Sequence, residues 1–191
     1  MFKDTRAADD KLFSYFRVFI DDKGVASVTP SSKYLVGRVL KAMDVKRASF
    51  IIEYGAADGV VTRKILEKMP AQCKLLAIEL NEKFYSDLNK ISDPRLIAHH
   101  GDVRGVVHIA EQRGLGPADV IVSGIPFAFL SSSGRNDLLA DTARLLKPGG
   151  RFVGYQVTTH LIHPLHAHFK KVKTEFELRN IPPNFVFTAF K

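Results

Sequence analysis

The 191-residue chain has a single cysteine, Cys73, so it can build neither a disulfide framework nor a cysteine-based metal site. A reducing, cytosolic setting is expected. Long apolar runs are also missing: the longest stretch free of Asp, Glu, Lys and Arg, from Phe152 to Phe169, contains four histidines, a proline and several hydroxyls. A bilayer-spanning helix needs about 20 mainly apolar residues, so none is expected. The opening MFKDTRAADDKLF carries acids early and lacks a continuous apolar stretch with a small-residue cleavage site, which argues against a signal peptide. Internal repeats and low-complexity tracts are absent as well.

What is present is the composition of an ordinary globular protein, 46% hydrophobic and 25% charged. The length suits one domain with a sizeable core. A formal charge of +8 favours polyanions or an anionic membrane as partners and says little about fold. Residues 7 to 20, AADDKLFSYFRVFI, read as an amphipathic helix, with DDKG stopping it and a connector running to Pro30. Ser31 or Ser32 then caps a second helix through Leu35, Val36, Val39, Leu40 and Met43.

From Ser49 short apolar runs alternate with helical stretches, the pattern of a parallel sheet with crossover helices. The expected strands are Phe50–Tyr54, Lys74–Leu80, Leu96–His100, Val120–Ser123 and Arg151–Val157. Thr174–Arg179 and Phe185–Phe190 are separated by only NIPPN, too short for a crossover, so they form an antiparallel hairpin. The fold class is α/β, a seven-stranded doubly wound sheet whose ligands bind at the carboxyl ends of the strands.

The turn Gly55-Ala56-Ala57-Asp58-Gly59 follows the first strand and opens the helix Val60–Met69. A dinucleotide fingerprint starting at Gly55 would need glycine at Ala57 and Val60, so a pyrophosphate ligand is disfavoured. Glu53 ends strand one, Glu79 and Leu80 end strand two, and Asp102 and Val103 follow strand three. Acids in these places suit an adenosine ribose, an adenine amine and a cation.

E-Y-G-A-A-D-G, A-I-E-L and H-G-D-V, in this order and spacing, resemble the Rossmann-like class I S-adenosylmethionine-dependent methyltransferases. The resemblance implies S-adenosylmethionine as cofactor and S-adenosylhomocysteine as product. It puts Glu53 and Gly55 by the methionine end, Glu79 on the ribose hydroxyls and Asp102 near the adenine amine, with Ala56, Ala57, Gly59, Leu80 and Val103 in the same cofactor-binding set. The strand-four motif Ser123-Gly124-Ile125-Pro126-Phe127 has glycine where amine-methylating relatives such as the ribosomal RNA adenine dimethyltransferases carry asparagine. Gly124 offers no side-chain acceptor for an adenine amine, although Phe127 could stack.

The same motif resembles the small bacterial phospholipid N-methyltransferases, which act on phosphatidylethanolamine and its partly methylated forms. The amphipathic N-terminal helix, Pro30-Ser31-Ser32 and Ile181-Pro182-Pro183 extend that resemblance over nearly the whole chain. It implies one methyltransferase domain, 1–191, with residues 1–30 as helix and connector and 31–191 as the cofactor-binding and catalytic core. It also implies a phospholipid membrane partner, met by Phe13, Phe16 and Phe19 in the interface and by Lys3, Arg6, Lys11 and Arg17 on lipid phosphates. The expected place is the cytoplasm, peripherally at the inner face of the cytoplasmic membrane, with no stable protein partner. Ser31 and Ser123 join the cofactor set, and Ser123 to Phe127 form the acceptor floor. Tyr34 and Tyr155 are candidates for contacting the head group or accepting a proton. Nucleic acid is the alternative partner, as substrate of an RNA adenine N-methyltransferase. His160, His163, His166 and His168 are uneven and broken by Pro164, so no metal site is expected, and they are placed over the acceptor pocket. The lysines at 170, 171 and 173 are expected on a solvated face.

Overall fold

The computed structural model describes residues 31–191. The expected N-terminal amphipathic helix and its lipid contacts, Lys3, Arg6, Lys11, Phe13, Phe16, Arg17 and Phe19, lie outside the described residues. In chain order the elements are α1 (Lys33–Met43), β1 (Phe50–Tyr54), α2 (Val60–Lys68), β2 (Lys74–Glu79), α3 (Glu82–Leu88), β3 (Leu96–His100) and α4 (Val106–Gln112). They continue with β4 (Ala118–Ser123), α5 (Ser132–Leu145), β5 (Leu146–Gln156), α6 (Ile162–His168), β6 (Lys171–Glu177) and β7 (Asn184–Phe190).

The strands form one seven-stranded sheet in the order β3-β2-β1-β4-β5-β7-β6. β1 to β5 are parallel, and β7 runs antiparallel between β5 and β6. The doubly wound sheet closed by an antiparallel hairpin is therefore as the sequence pattern implies. Alternation along the strands sends Ile51, Leu75, Val120, Val122, Val153 and Val186 to one face, where α1 and α2 cover them. Ile52, Ile78, Ile121, Phe152 and Phe187 go to the other, beneath α4, α5 and α6. Each such side chain contributes about 1.5–3 kcal/mol by leaving water.

Ser32 is the cap of α1: its hydroxyl accepts from the Leu35 amide at 3.2 Å. Two boundaries differ from expectation. β5 begins at Leu146, directly after α5, because the Lys147-Pro148-Gly149-Gly150 segment is absorbed as an irregularity between the pairings Ala118↔Leu146 and Val120↔Arg151. β6 starts at Lys171 and stops at Glu177, so part of the lysine run is edge strand. Pairing to β7 extends there regardless of apolar pattern, since an edge strand leaves Lys171 and Lys173 in solvent. Pro164 fits within the first turn of α6, where a missing amide costs nothing.

Candidate active site

β1 and β4 are neighbours, yet the chain leaves β1 toward β2 and leaves β4 toward β5. Their carboxyl ends therefore diverge into a crevice. The turn after β1 is held open by left-handed backbone at Gly55 (φ 71°), Ala57 (φ 47°) and Gly59 (φ 77°). Gly55 is needed for space as well: a Cβ there would stand 2.6 Å from Cγ2 of Ile125. The turns after β1 and β4 thus touch through a glycine. At Ala57 a side chain occupies a conformation that glycine adopts without strain.

Three carboxylates stand at the expected strand ends, in different states. Glu53 is 2% exposed, and its Oε2 accepts from the Thr62 hydroxyl at 2.7 Å. Among the described residues it meets no Lys, Arg or His. Burial pushes its pKa up to about 8, against the Thr62 hydrogen bond and with help from the Glu79 charge. Glu79 is buried too, but its Oε2 accepts from the Ala57 amide and its Oε1 from the Asn81 amide, both at 2.8 Å. It therefore ties the end of β2 to the strained turn after β1. Burial raises its pKa, opposed by these backbone donors. Asp102 is partly exposed and accepts from the Arg104 amide and Nε, each at 2.8 Å. Beside it, Leu80 contributes its carbonyl to His100 Nε2 at 3.0 Å, and the His100 ring stacks on Tyr85. Val103 and Ala56 are core residues that carry the two loops.

In the turn after β4, Ser123, Ile125 and Phe127 are buried, whereas Gly124 and Pro126 are partly exposed. Phe127 offers no stacking face: it is 1% exposed and meets Phe152 edge-on at 6.0 Å, so it supports the floor from below. The Ser123 hydroxyl accepts from the Ile125 amide at 3.4 Å, closing the turn. What stands over Gly124 comes from β5. A Cβ on residue 124 would collide with the hydroxyl of Tyr155, so the absent asparagine leaves a place that this phenol fills. Burial, with the charges of Glu53 and Asp58, raises the Tyr155 pKa. Tyr155 consequently stays a neutral hydroxyl at ordinary pH.

Tyr34 lies elsewhere, in a groove between α1 and β6, with the Arg179 guanidinium 4.2 Å above its ring. Ser31 precedes the α1 cap, whose Ser32 amide donates to Asn180 Oδ1 at 2.8 Å. Its neighbours are thus the β6–β7 turn. His160, His163 and His166 are exposed, and α6 packs through Leu161 and Leu165 instead. Thr62 and Arg104 were missed from the sequence. For Thr62 the available signal was a hydroxyl on the apolar stripe of α2; for Arg104, an arginine two residues after a strand-end acid.

No family model matches the chain. It is 27% identical over 170 residues to the ornithine lipid N-methyltransferase of Singulisphaera acidiphila, covering 87% of this chain and 88% of that one. Among solved structures, the 1,6-didemethyltoxoflavin-N1-methyltransferase of Burkholderia thailandensis, with S-adenosylhomocysteine bound, superposes with a TM-score of 0.74 at 20% identity, over 100% of this chain and 92% of that one. The N-methyltransferase NodS of Bradyrhizobium japonicum, also with S-adenosylhomocysteine, gives 0.68 at 11%, over 94% and 98%. The fold is that of the S-adenosylmethionine-dependent methyltransferases.

Proposed function

We propose that this chain is an S-adenosylmethionine-dependent N-methyltransferase whose acceptor is the head-group amine of a membrane lipid, phosphatidylethanolamine and its partly methylated forms first. The observation that carries the acceptor reading is the Tyr155 hydroxyl seated over Gly124. It replaces the base-orienting asparagine with a single neutral acceptor suited to a small aliphatic amine.

The crevice fits the cofactor by its donor set. Glu53 is a buried carboxylate with no cationic partner among the described residues, and Gly55 lets the turns after β1 and β4 close against each other beside it. Glu53, Gly55, Ala56, Ala57 and Gly59 would hold the methionine end, Glu79 and Leu80 the ribose, and Asp102 and Val103 the adenine. Ser31 and Ser123 would border the same space. When bound, the cofactor supplies an electrophilic methyl group on a sulfonium.

The chain's own residues do the rest. Glu53, once ionised, neutralises positive charge in a dry place where a carboxylate is worth more than in water. Tyr155 accepts a hydrogen bond from an amine N–H, which aims the nitrogen lone pair across Gly124. The apolar surroundings of Ile125 and Pro126 favour the neutral amine over the ammonium, which lets it act as nucleophile without a strong base. Positioning supplies most of the acceleration. Tyr34, at the groove, would meet the rest of the head group.

An ornithine lipid is the second reading, favoured by the name of the relative that shares 27% identity over most of both chains. The test is transfer of labelled methyl from S-adenosylmethionine to vesicles of phosphatidylethanolamine, to vesicles of ornithine lipid and to unmodified RNA. Label in phosphatidylethanolamine is expected. Label in ornithine lipid alone moves the assignment to the second reading, and label in RNA alone overturns both.

A further inference from the structure

The two most exposed large apolar side chains among the described residues are Leu178 (70%) and Ile181 (77%). Both lie on the turn between β6 and β7, and neither is exposed because the turn is loose. Glu177, 2% exposed, accepts from the Arg179 amide at 3.1 Å, Arg179 Nε at 2.7 Å and Arg38 Nε at 2.9 Å. Asn180 accepts from the Ser32 amide, and the side-chain amides of Asn180 and Asn184 both donate to the Pro182 carbonyl, at 2.8 and 3.0 Å. Every one of these ties braces the turn against α1 or itself, and Leu178 and Ile181 are held outward in water. Unforced exposure of that kind marks a surface that meets something.

Charge selects the occupant. Residues 1–30 contain five basic and five acidic side chains, so the whole formal charge of +8 belongs to the described residues. Next to the turn, a groove of about 320 Å³ between α1 and β6 is lined by Lys33, Tyr34, Arg38, Lys41, Glu175 and Arg179 among others. Arg38 is spent on Glu175 and Glu177, while Lys33 remains exposed beside the Tyr34 ring. Exposed apolar side chains next to a basic groove suit an anionic bilayer, whose acyl chains lie beneath its phosphates. Pairing of Gln156 with Phe185 and of Tyr155 with Val186 puts the turn at the same end of the sheet as Gly124 and Tyr155. A lipid met there is met beside the crevice.

We propose that the β6–β7 turn and the first turn of α1 form a lipid-docking face, in which Leu178 and Ile181 enter the apolar layer of an anionic membrane and Lys33 meets its phosphates. This deepens the lipid reading above and rests on it only for the choice of a membrane over a protein.

The test is co-sedimentation of the full chain with phosphatidylcholine vesicles, with and without phosphatidylglycerol, and needs no methyl transfer. The double variant L178S/I181S is expected to lower partitioning on the order of tenfold or more, as loss of two membrane-buried side chains requires. K33Q is expected to lower it about fivefold on phosphatidylglycerol vesicles at low salt only. Both should keep the parent's melting temperature and its activity on dihexanoyl-phosphatidylethanolamine dissolved below its micellar concentration. Unchanged partitioning of L178S/I181S overturns the proposal. So does a variant whose vesicle binding is intact while self-association is lost, which makes the face a protein interface. If the variant loses vesicle binding and the parent methylates no lipid amine, the acceptor reading fails and the docking face stands.

Discussion

Two carboxylates at opposite ends of the same sheet have opposite fates. Asp119, at the amino end of β4, accepts from the Ser49 amide and hydroxyl, the Phe50 amide and Lys147 Nζ, at 2.7 to 3.0 Å. Desolvation works against its charge but is outweighed by these donors, and its pKa falls to about 2. Glu53, at the carboxyl end, has one hydroxyl, and its pKa rises to about 8. One acid is satisfied by the fold and latches β1 to β4 and β5. The other is left short of partners by the fold, a condition that only a ligand relieves. In this chain the structural acid and the one proposed to meet the cofactor differ in how completely the backbone answers them.

Removing the charge at each end breaks the contrast most sharply. Glu53→Gln should weaken S-adenosylmethionine binding about a hundredfold, measured by calorimetry, because an ion pair in a dry site loses one partner. Its effect on stability has the other sign. The folded pKa near 8 exceeds the ordinary 4.5, so the stability linked to the neutral acid is complete below pH 4.5 and is lost as pH rises through 8. At pH 9 the glutamine variant should therefore melt several degrees above the parent. In the parent, cofactor affinity should rise about tenfold per pH unit up to pH 8 and level off above it, a slope absent in the variant. A parent with no such slope would mean that Glu53 is not the charge the cofactor meets.

Asp119→Asn should instead cost about 2–3 kcal/mol, a drop of roughly 5–10 °C in melting temperature, with cofactor affinity unchanged. Since the folded pKa of Asp119 lies below the ordinary 3.8, its contribution is present above pH 4 and disappears as pH falls toward 2. Tyr155→Phe sharpens the comparison within the crevice. It should lower kcat about tenfold at constant cofactor affinity, the loss of one orienting hydrogen bond. The smallest effect belongs to Ala57→Gly. Relief of about 1 kcal/mol of left-handed strain is nearly offset by the added freedom of the unfolded chain, so the melting temperature should move by no more than a few degrees.

Much of this was legible in the sequence, for identifiable reasons. Short apolar runs made β1, β2 and β4 legible within about two residues because each is buried on both faces, and Leu96-Ile97-Ala98 marked the half-buried edge strand β3. Strand-end acids located the crevice because parallel strands place their last residues side by side. β6 was misplaced because an edge strand carrying Lys171, Lys173 and Glu175 has no apolar pattern to read. The Tyr155 hydroxyl over Gly124 was invisible since 31 residues separate them and only the β4–β5 register brings them together. Phe127 misled for a related reason: nothing local distinguishes a ring facing a ligand from one facing Phe152.

The bond between the Ser32 amide and Asn180 spans 148 positions. α1 packs its Leu35, Val36, Val39 and Met43 on strands that include β5 and β7. During synthesis that apolar face must wait for its lining. At about 5–20 residues per second the ribosome needs roughly 7–30 s to deliver β7 after α1 has emerged. A helix that stays greasy so long is an early client for chaperones, and such a distant closing contact predicts slow folding.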